Sequence, residues 1–181
     1  MKQKWEIIFS GVGGQGLLLN GNLLGSAASI VEKRQAVMTC AYGSETRGTF
    51  TKSDLILSED YIDFPEALEP DVIVALAQVA YDRYVAGMKE GSILLYNANQ
   101  VTEAPSKAKQ YGLKLEDIAA GVGSPTAVNV VALGAMIGLT GCAKPESVKE
   151  TIAKRFAGSD KIVEGNIRAL DAGLEAAKKL L

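Results

Sequence analysis

Three stretches of this 181-residue chain carry residue types and spacings that could do chemistry. The first is Ser10-Gly11-Val12-Gly13-Gly14-Gln15-Gly16. Glycines at 11, 13 and 16 have the G-x-G-x-x-G spacing of a strand that turns sharply into a helix. Such a turn bares backbone N–H groups and a helix N-terminus, which suits a phosphate or another anion. Gly11, Gly13, Gly14, Gln15 and Gly16 are therefore candidate binding residues. The alternative is that the glycines only permit a tight turn and close helix–sheet packing. A dinucleotide site also needs an acidic residue about 20 positions on, at the end of the second strand. That strand ends Met38-Thr39-Cys40-Ala41, with no Asp or Glu. The chain is thus not expected to be an NAD enzyme, and a free-standing NAD- or FAD-binding Rossmann protein is the alternative reading.

The second stretch is Tyr42-Gly43-Ser44-Glu45-Thr46-Arg47-Gly48. It follows a strand, so in a parallel sheet it belongs at the same carboxyl edge as the glycine turn, where open α/β sheets take ligands. The guanidinium of Arg47 is a planar fork of donors fitted to carboxylate or phosphate. Glu45 can hold Arg47 or pair with another chain, and Tyr42, Ser44 and Gly48 complete the candidate set. A plain surface loop with an internal Glu–Arg pair is the alternative. The third stretch, Gly121 to Gly134, offers Ser124 as a helix N-cap and Pro125 at the first helical position. Asn129 falls inside an apolar helix and needs a hydrogen-bond partner, either the backbone of the glycine turn or another subunit. In the last helix, Asn166 and Gly173 read as packing residues.

Much chemistry is absent. The chain has no histidine, which removes the commonest general base and metal ligand. There is no G-x-S-x-G elbow and no phosphate-binding G-x-x-x-x-G-K-[ST] loop. Cys40 and Cys142 stand alone, without zinc or iron–sulfur spacing. No catalytic and no metal-binding residue is assigned. The formal net charge of −2 disfavours nucleic acid and anionic membranes. Lone thiols suit a reducing cytoplasm. Trp5 to Phe9 is too short for a secretory leader, and Ala127 to Leu139 too short to span a bilayer.

The elements that must hold these residues alternate. Apolar runs predict strands at Trp5–Ser10, Ala36–Ala41, Ser53–Ser58, Val72–Leu76 and Ser92–Tyr96. Helices are expected at Gln15–Glu32, Gln78–Met88, Pro125–Leu139, Pro145–Phe156 and Ile162–Leu181. Gly91 and Gly141 sit just past helices, where a left-handed cap is useful. The polar stretch Thr46 to Asp54 leaves room for the third strand to start earlier and pair antiparallel. The expected fold is a single α/β domain over residues 1–181, with a doubly wound, mostly parallel, Rossmann-like sheet.

Taken together, Ser10 to Gly16, Tyr42 to Gly48, and Asn129 with Leu133-Gly134 resemble the gamma subunit of 2-oxoacid:ferredoxin oxidoreductases. Glu164-Gly165-Asn166 and Ala169 extend the resemblance along nearly the whole chain. Ser44 stands where that family commonly has proline, and Thr49 where it commonly has a second glycine. The resemblance implies a multi-subunit enzyme acting on pyruvate, 2-oxoglutarate or a related oxoacid. It implies alpha and beta partners, with or without a delta subunit, that hold thiamine diphosphate, Mg²⁺ and iron–sulfur clusters. Electrons pass to ferredoxin and the acyl group to coenzyme A. This chain is expected to hold no cofactor alone, to pack on the thiamine-binding subunits and to help enclose coenzyme A.

Overall fold

The computed structural model describes residues 2–42 and 50–181, and of Tyr42 the backbone only. Six strands form one sheet in the order β2-β3-β1-β4-β5-β6. They are β1 (Lys4–Val12), β2 (Gln35–Tyr42), β3 (Phe50–Ser58), β4 (Val72–Ala75), β5 (Ile93–Asn97) and β6 (Lys109–Leu113). Strand β3 runs antiparallel to both its neighbours, β1 and β2, while β1, β4, β5 and β6 are mutually parallel. The reversal has a simple cause. Residues 43–49 are too few for a parallel crossover, which takes a dozen or more. The third strand therefore starts earlier than its apolar run and pairs antiparallel, one of the two arrangements the sequence left open.

The helices are α1 (Leu17–Ser26), α2 (Gln78–Tyr84), α3 (Leu115–Gly121), α4 (Val128–Thr140), α5 (Pro145–Arg155) and α6 (Asp160–Lys178). Ile7, Phe9, Leu55, Leu57, Val72 and Val74 point to one face, where α1, α3, α4, α5 and α6 bury them. Ile8, Ile73 and Leu94 point to the other, where α2 supplies Ala80 and Tyr81, and Val85 follows just past its end. Both faces of the sheet are thus covered, as continuous apolar strands require.

Among the described glycines, the closest approaches to backbone lie between α4 and α6. A Cβ on Gly134 would stand 2.1 Å from the Leu170 carbonyl oxygen, and one on Gly173 2.0 Å from that of Val131. Here glycine is a spatial necessity, since backbone meets backbone. Gly173 is accordingly a packing residue, as expected. Gly141 ends α4 in the left-handed region at φ 63°.

Several elements differ from expectation. Strand β6 and helix α3 were not anticipated. The former is five residues, Lys-Gln-Tyr-Gly-Leu, with no apolar run. Its Gly112 exists because a Cβ there would collide with the Tyr96 ring. The seven residues of α3 make two turns, too short for a period to show. The first helix does not run unbroken to Glu32. It widens at Ala27–Val31 into a π-turn, with the Glu32 N–H donating to the Ala27 carbonyl at 3.0 Å. The second helix stops at Tyr84 rather than Met88, and α4 begins at Val128 rather than Pro125. Ser124 is not its N-cap: the Ser124 hydroxyl donates to the Gly165 carbonyl at 3.1 Å instead.

The α4–α6 contact yields a measurable contrast. Gly134→Ala and Gly173→Ala should each destabilise the chain by about 1–3 kcal/mol through overpacking. Gly121→Ala, whose Cβ meets nothing within 4 Å, should stay within about 0.5 kcal/mol of wild type. Urea denaturation followed by circular dichroism measures all three.

Candidate functional site

The described candidates, Gly11 to Gly16 and Asn129, gather at the carboxyl edge of the parallel strands. Strand β1 ends at Val12, and the chain turns through Gly13 and Gly14 before α1 begins. Gly14 and Gly16 have φ of 91° and 71°, in the left-handed region that favours glycine. Gly11 and Gly16 are crowded, each by one side chain.

Gln15 folds back into the turn. Its Oε1 accepts from the Val12 N–H at 2.8 Å, and its Nε2 donates to the Leu76 carbonyl at 3.3 Å. A Cβ on Gly11 would lie 2.2 Å from that Oε1, so Gly11 makes room for Gln15. Gln15 thereby joins the ends of β1 and β4.

Asn129 performs a second internal task. Its Nδ2 donates to the Gly16 carbonyl at 3.2 Å and to Asn20 Oδ1 at 3.0 Å. Asn20 Nδ2 in turn donates to the Asn129 carbonyl at 2.8 Å. Of the two partners expected for Asn129, the glycine-turn backbone is the one observed. A Cβ on Gly16 would sit 2.5 Å from the Asn129 amide, which explains glycine there a second time. Asn20 is fully buried in α1 and was missed by sequence reasoning; its polar side chain within an apolar helix was the available clue.

Gly13 and Gly14 differ from their neighbours. Both are exposed, and neither has an atom within 4 Å of a built Cβ. The expectation of close backbone approach at Gly13 therefore finds no support inside the chain. What remains of the motif for contact with another molecule is this bare tip.

Beside the tip lies a cavity of about 700 Å³, lined by Gly14, Gln15, Gly16, Asn97, Glu116 and Asp117 among others. Its far wall is acidic, and that wall was unforeseen because α3 was unforeseen. Glu116 accepts from Asn97 at 3.1 Å and from Gln100 at 2.8 Å, and Asp117 accepts from Asn99 at 2.9 Å. Two carboxylates so close to the turn oppose an anion in the depth of the cavity. The candidate residues Ser44, Glu45, Arg47 and Gly48, and the side chain of Tyr42, lie outside the described residues. The anchors of that stretch are described: Phe50 pairs with Val12 at the end of β1, and Tyr42 pairs with Thr51. Both of these anchors thus lie at the edge where the first motif turns.

Among the described residues no acid–base or nucleophilic couple stands at this edge. The fully buried Asp54 is held by Lys52 at 2.7 Å, paired across the sheet from Ile8 rather than at the turn. Burial opposes the charge on Lys52, but its hydrogen bond and charge attraction to Asp54 prevail and raise its pKa above the usual lysine value. Cys142 is buried, and burial pushes its thiol up to about 11. Among the described residues no group of His, Cys, Asp and Glu is arranged to hold a metal ion, and no helix is long and apolar enough to cross a membrane.

A six-stranded, mostly parallel sheet with helices on both faces and a self-locked glycine turn at its carboxyl edge defines a Rossmann-like α/β domain. Residues 6–176 match the family described as pyruvate ferredoxin/flavodoxin oxidoreductase, and the chain belongs to that family. It is 36% identical to the 2-oxoglutarate synthase subunit KorC of Methanocaldococcus jannaschii, over 99% of this chain and 97% of that one. The fold superposes on the gamma subunit of a keto/oxoacid ferredoxin oxidoreductase from Geobacter sulfurreducens with a TM-score of 0.84 and 37% identity, covering 97% and 99% of the two chains. It also superposes, at a TM-score of 0.88 and 22% identity, on 2-oxoglutarate:ferredoxin oxidoreductase from Magnetococcus marinus. That match covers all of this chain but 32% of the other.

Two outcomes follow from the geometry. Asn129→Leu strips hydrogen-bond donors from the Gly16 carbonyl and Asn20, and should cost about 1–3 kcal/mol of stability, measured by thermal or urea unfolding. Gly13→Ala should leave stability within about 0.5 kcal/mol, so any damage it does to an assembled complex reports docking at the tip. Separately, thiol labelling at pH 8 should leave Cys142 unmodified until denaturant is added, because a thiol titrating near 11 is protonated there and sealed from reagent.

Proposed function

We propose that this chain is the gamma subunit of a multi-subunit 2-oxoacid:ferredoxin oxidoreductase and works there as a non-catalytic wall of the active-site region. One observation supports the reading above the others. At the sheet edge where ligands bind, a member of this family presents a bare glycine tip and an open cavity, and among the described residues no group of His, Cys, Asp and Glu there is arranged to hold a metal ion. The chemistry then belongs to partners. Alpha and beta subunits, with or without a delta subunit, would hold thiamine diphosphate, Mg²⁺ and the iron–sulfur clusters, and ferredoxin would take the electrons. Within such an assembly the carboxyl edge of this chain faces coenzyme A. The Magnetococcus marinus enzyme, of the same fold, is described with 2-oxoglutarate, coenzyme A and succinyl-CoA bound.

Charge orders that contact. Glu116 and Asp117 repel phosphates but accept hydrogen bonds from amides and hydroxyls, so the cavity suits the uncharged, amide-bearing part of coenzyme A. The phosphates belong at the Gly13–Gly14 tip and to Arg47, whose fork fits them. The choice of oxoacid rests with the thiamine-binding subunits. The similarity to KorC favours 2-oxoglutarate. The complex is expected to work in the cytoplasm.

The test is reconstitution. The isolated chain should show no oxoacid-dependent reduction of ferredoxin or viologen, whereas the complex co-expressed with its partners should turn over 2-oxoglutarate with coenzyme A. Arg47→Ala should raise the KM for coenzyme A about ten- to a hundred-fold, matching about 1.5–3 kcal/mol for a lost charge-assisted contact. Arg47→Lys should fall between, since an ammonium lacks the fork. Unaltered kinetics and assembly in Arg47→Ala would return residues 42–48 to an ordinary surface loop.

A further inference from the structure

The two edges of the sheet are built differently. Edge strand β6 is five residues long and carries Lys109 and Gly112, features that discourage pairing with another strand. Edge strand β2 is eight residues, Gln-Ala-Val-Met-Thr-Cys-Ala-Tyr, with no charge and no proline. Its described side chains, from Gln35 to Ala41, are all partly or fully exposed. Among the described residues its backbone bonds to β3 alone. A long, neutral, unguarded edge is a template for another strand.

The surface around β2 agrees. Just before the strand, Ile30 is 59% exposed; in the connection from β3 to β4, Tyr61 is 82%, Phe64 50% and Leu68 70% exposed. That connection touches β2 directly, the Thr39 hydroxyl donating to the Pro65 carbonyl at 3.4 Å. It also carries Asp60, Asp63 and Glu66, none in an ion pair among the described residues. The patch is therefore apolar, hydrogen-bond-hungry along one line, and acidic on one flank. A shallow groove of about 130 Å³ between α1 and Met38 continues it on the far side of the strand.

We infer that the β2 edge is a docking surface, and that its occupant is an extended apolar segment with basic flanking residues, belonging to the subunit that corresponds to the rest of the longer chain in the Magnetococcus marinus enzyme. This rests on the proposed function. In that enzyme the present fold is about a third of one polypeptide, so it has a covalently tied neighbour. In a separate chain the same neighbour must be held by contacts, and β2 with residues 59–68 is where apolar exposure and unpaired backbone coincide. Strand addition supplies main-chain hydrogen bonds, Tyr61, Phe64 and Leu68 supply apolar burial, and the carboxylates select a basic flank.

Hydrogen-exchange mass spectrometry on the chain alone and in the co-expressed complex tests it. Peptides spanning 35–42 and 59–68 should exchange about tenfold or more slowly in the complex, while those spanning β6 stay the same. Val37→Lys and Phe64→Asp, checked for folding by circular dichroism, should weaken co-assembly at least about tenfold. If either variant misfolds, the exchange of the wild-type chain decides. Equal exchange of 35–42 in both states overturns the inference. So does protection of 35–42 that grows with concentration in the chain alone and does not change on complex formation, which identifies a second copy as occupant. A wild-type chain that enters no complex sinks the proposed function and this surface together; one that assembles with β2 unprotected sinks the surface alone.

Discussion

Everything at the carboxyl edge depends on two side-chain amides that satisfy backbone groups the fold would otherwise leave bare. Gln15 caps the end of β1 and reaches across to β4, and Asn129 ties the start of α1 to α4. A strand-to-helix turn necessarily exposes N–H and C=O groups without regular partners. In a nucleotide-binding protein the ligand often meets that need. Here the protein meets most of it internally, and glycines at 11 and 16 are the spaces those amides require. The turn is therefore rigid before anything docks. Rigidity lowers the entropic cost of binding at the tip, where Gly13 and Gly14 stay open.

This division shows how a motif associated with nucleotides can be held in shape without a bound ligand. The G-x-G-x-x-G spacing guarantees the turn, not the ligand. The acidic wall at Glu116 and Asp117, and the lack of an acid within β2, are features that a dinucleotide site would not call for.

Much of this was legible in the sequence. The runs Trp5–Ser10 and Val72–Leu76 are apolar because they are buried on both faces, so their strands announced themselves. Gly141 and Pro145 marked a helix end and a helix start in the places observed. Asn129 was recognisable as a polar residue in need of a partner. Other features were hidden for physical reasons. Strand β6 is half-polar and depends on Tyr96 of its neighbour rather than on its own hydropathy, and α3 has too few turns to display a period. The π-turn at Ala27–Val31 obeys a hydrogen-bond rule that apolar spacing does not reveal. Ser124 has the chemistry of an N-cap, but the nearby Gly165 carbonyl on α6 draws its hydroxyl away. The acidic wall followed α3 into obscurity, since residues on an unrecognised helix cannot be assigned to an edge.

The position of β1 has a consequence for how the chain folds. It is first in sequence yet central in the sheet, flanked by β3 and β4. Its register partners are residues 50–58 on one side and 72–75 on the other, so neither flank can be closed locally. During synthesis, Ile7, Ile8 and Phe9 must wait in solvent until some 65 further residues have been made. Non-local pairing of this kind slows folding and leaves a sticky segment exposed meanwhile. The β2–β3 hairpin, closed by a short connection, can form early and offer β1 one edge to join. Strand β4 then seals the other, and β5 and β6 extend the sheet outward from it in the order in which they are made.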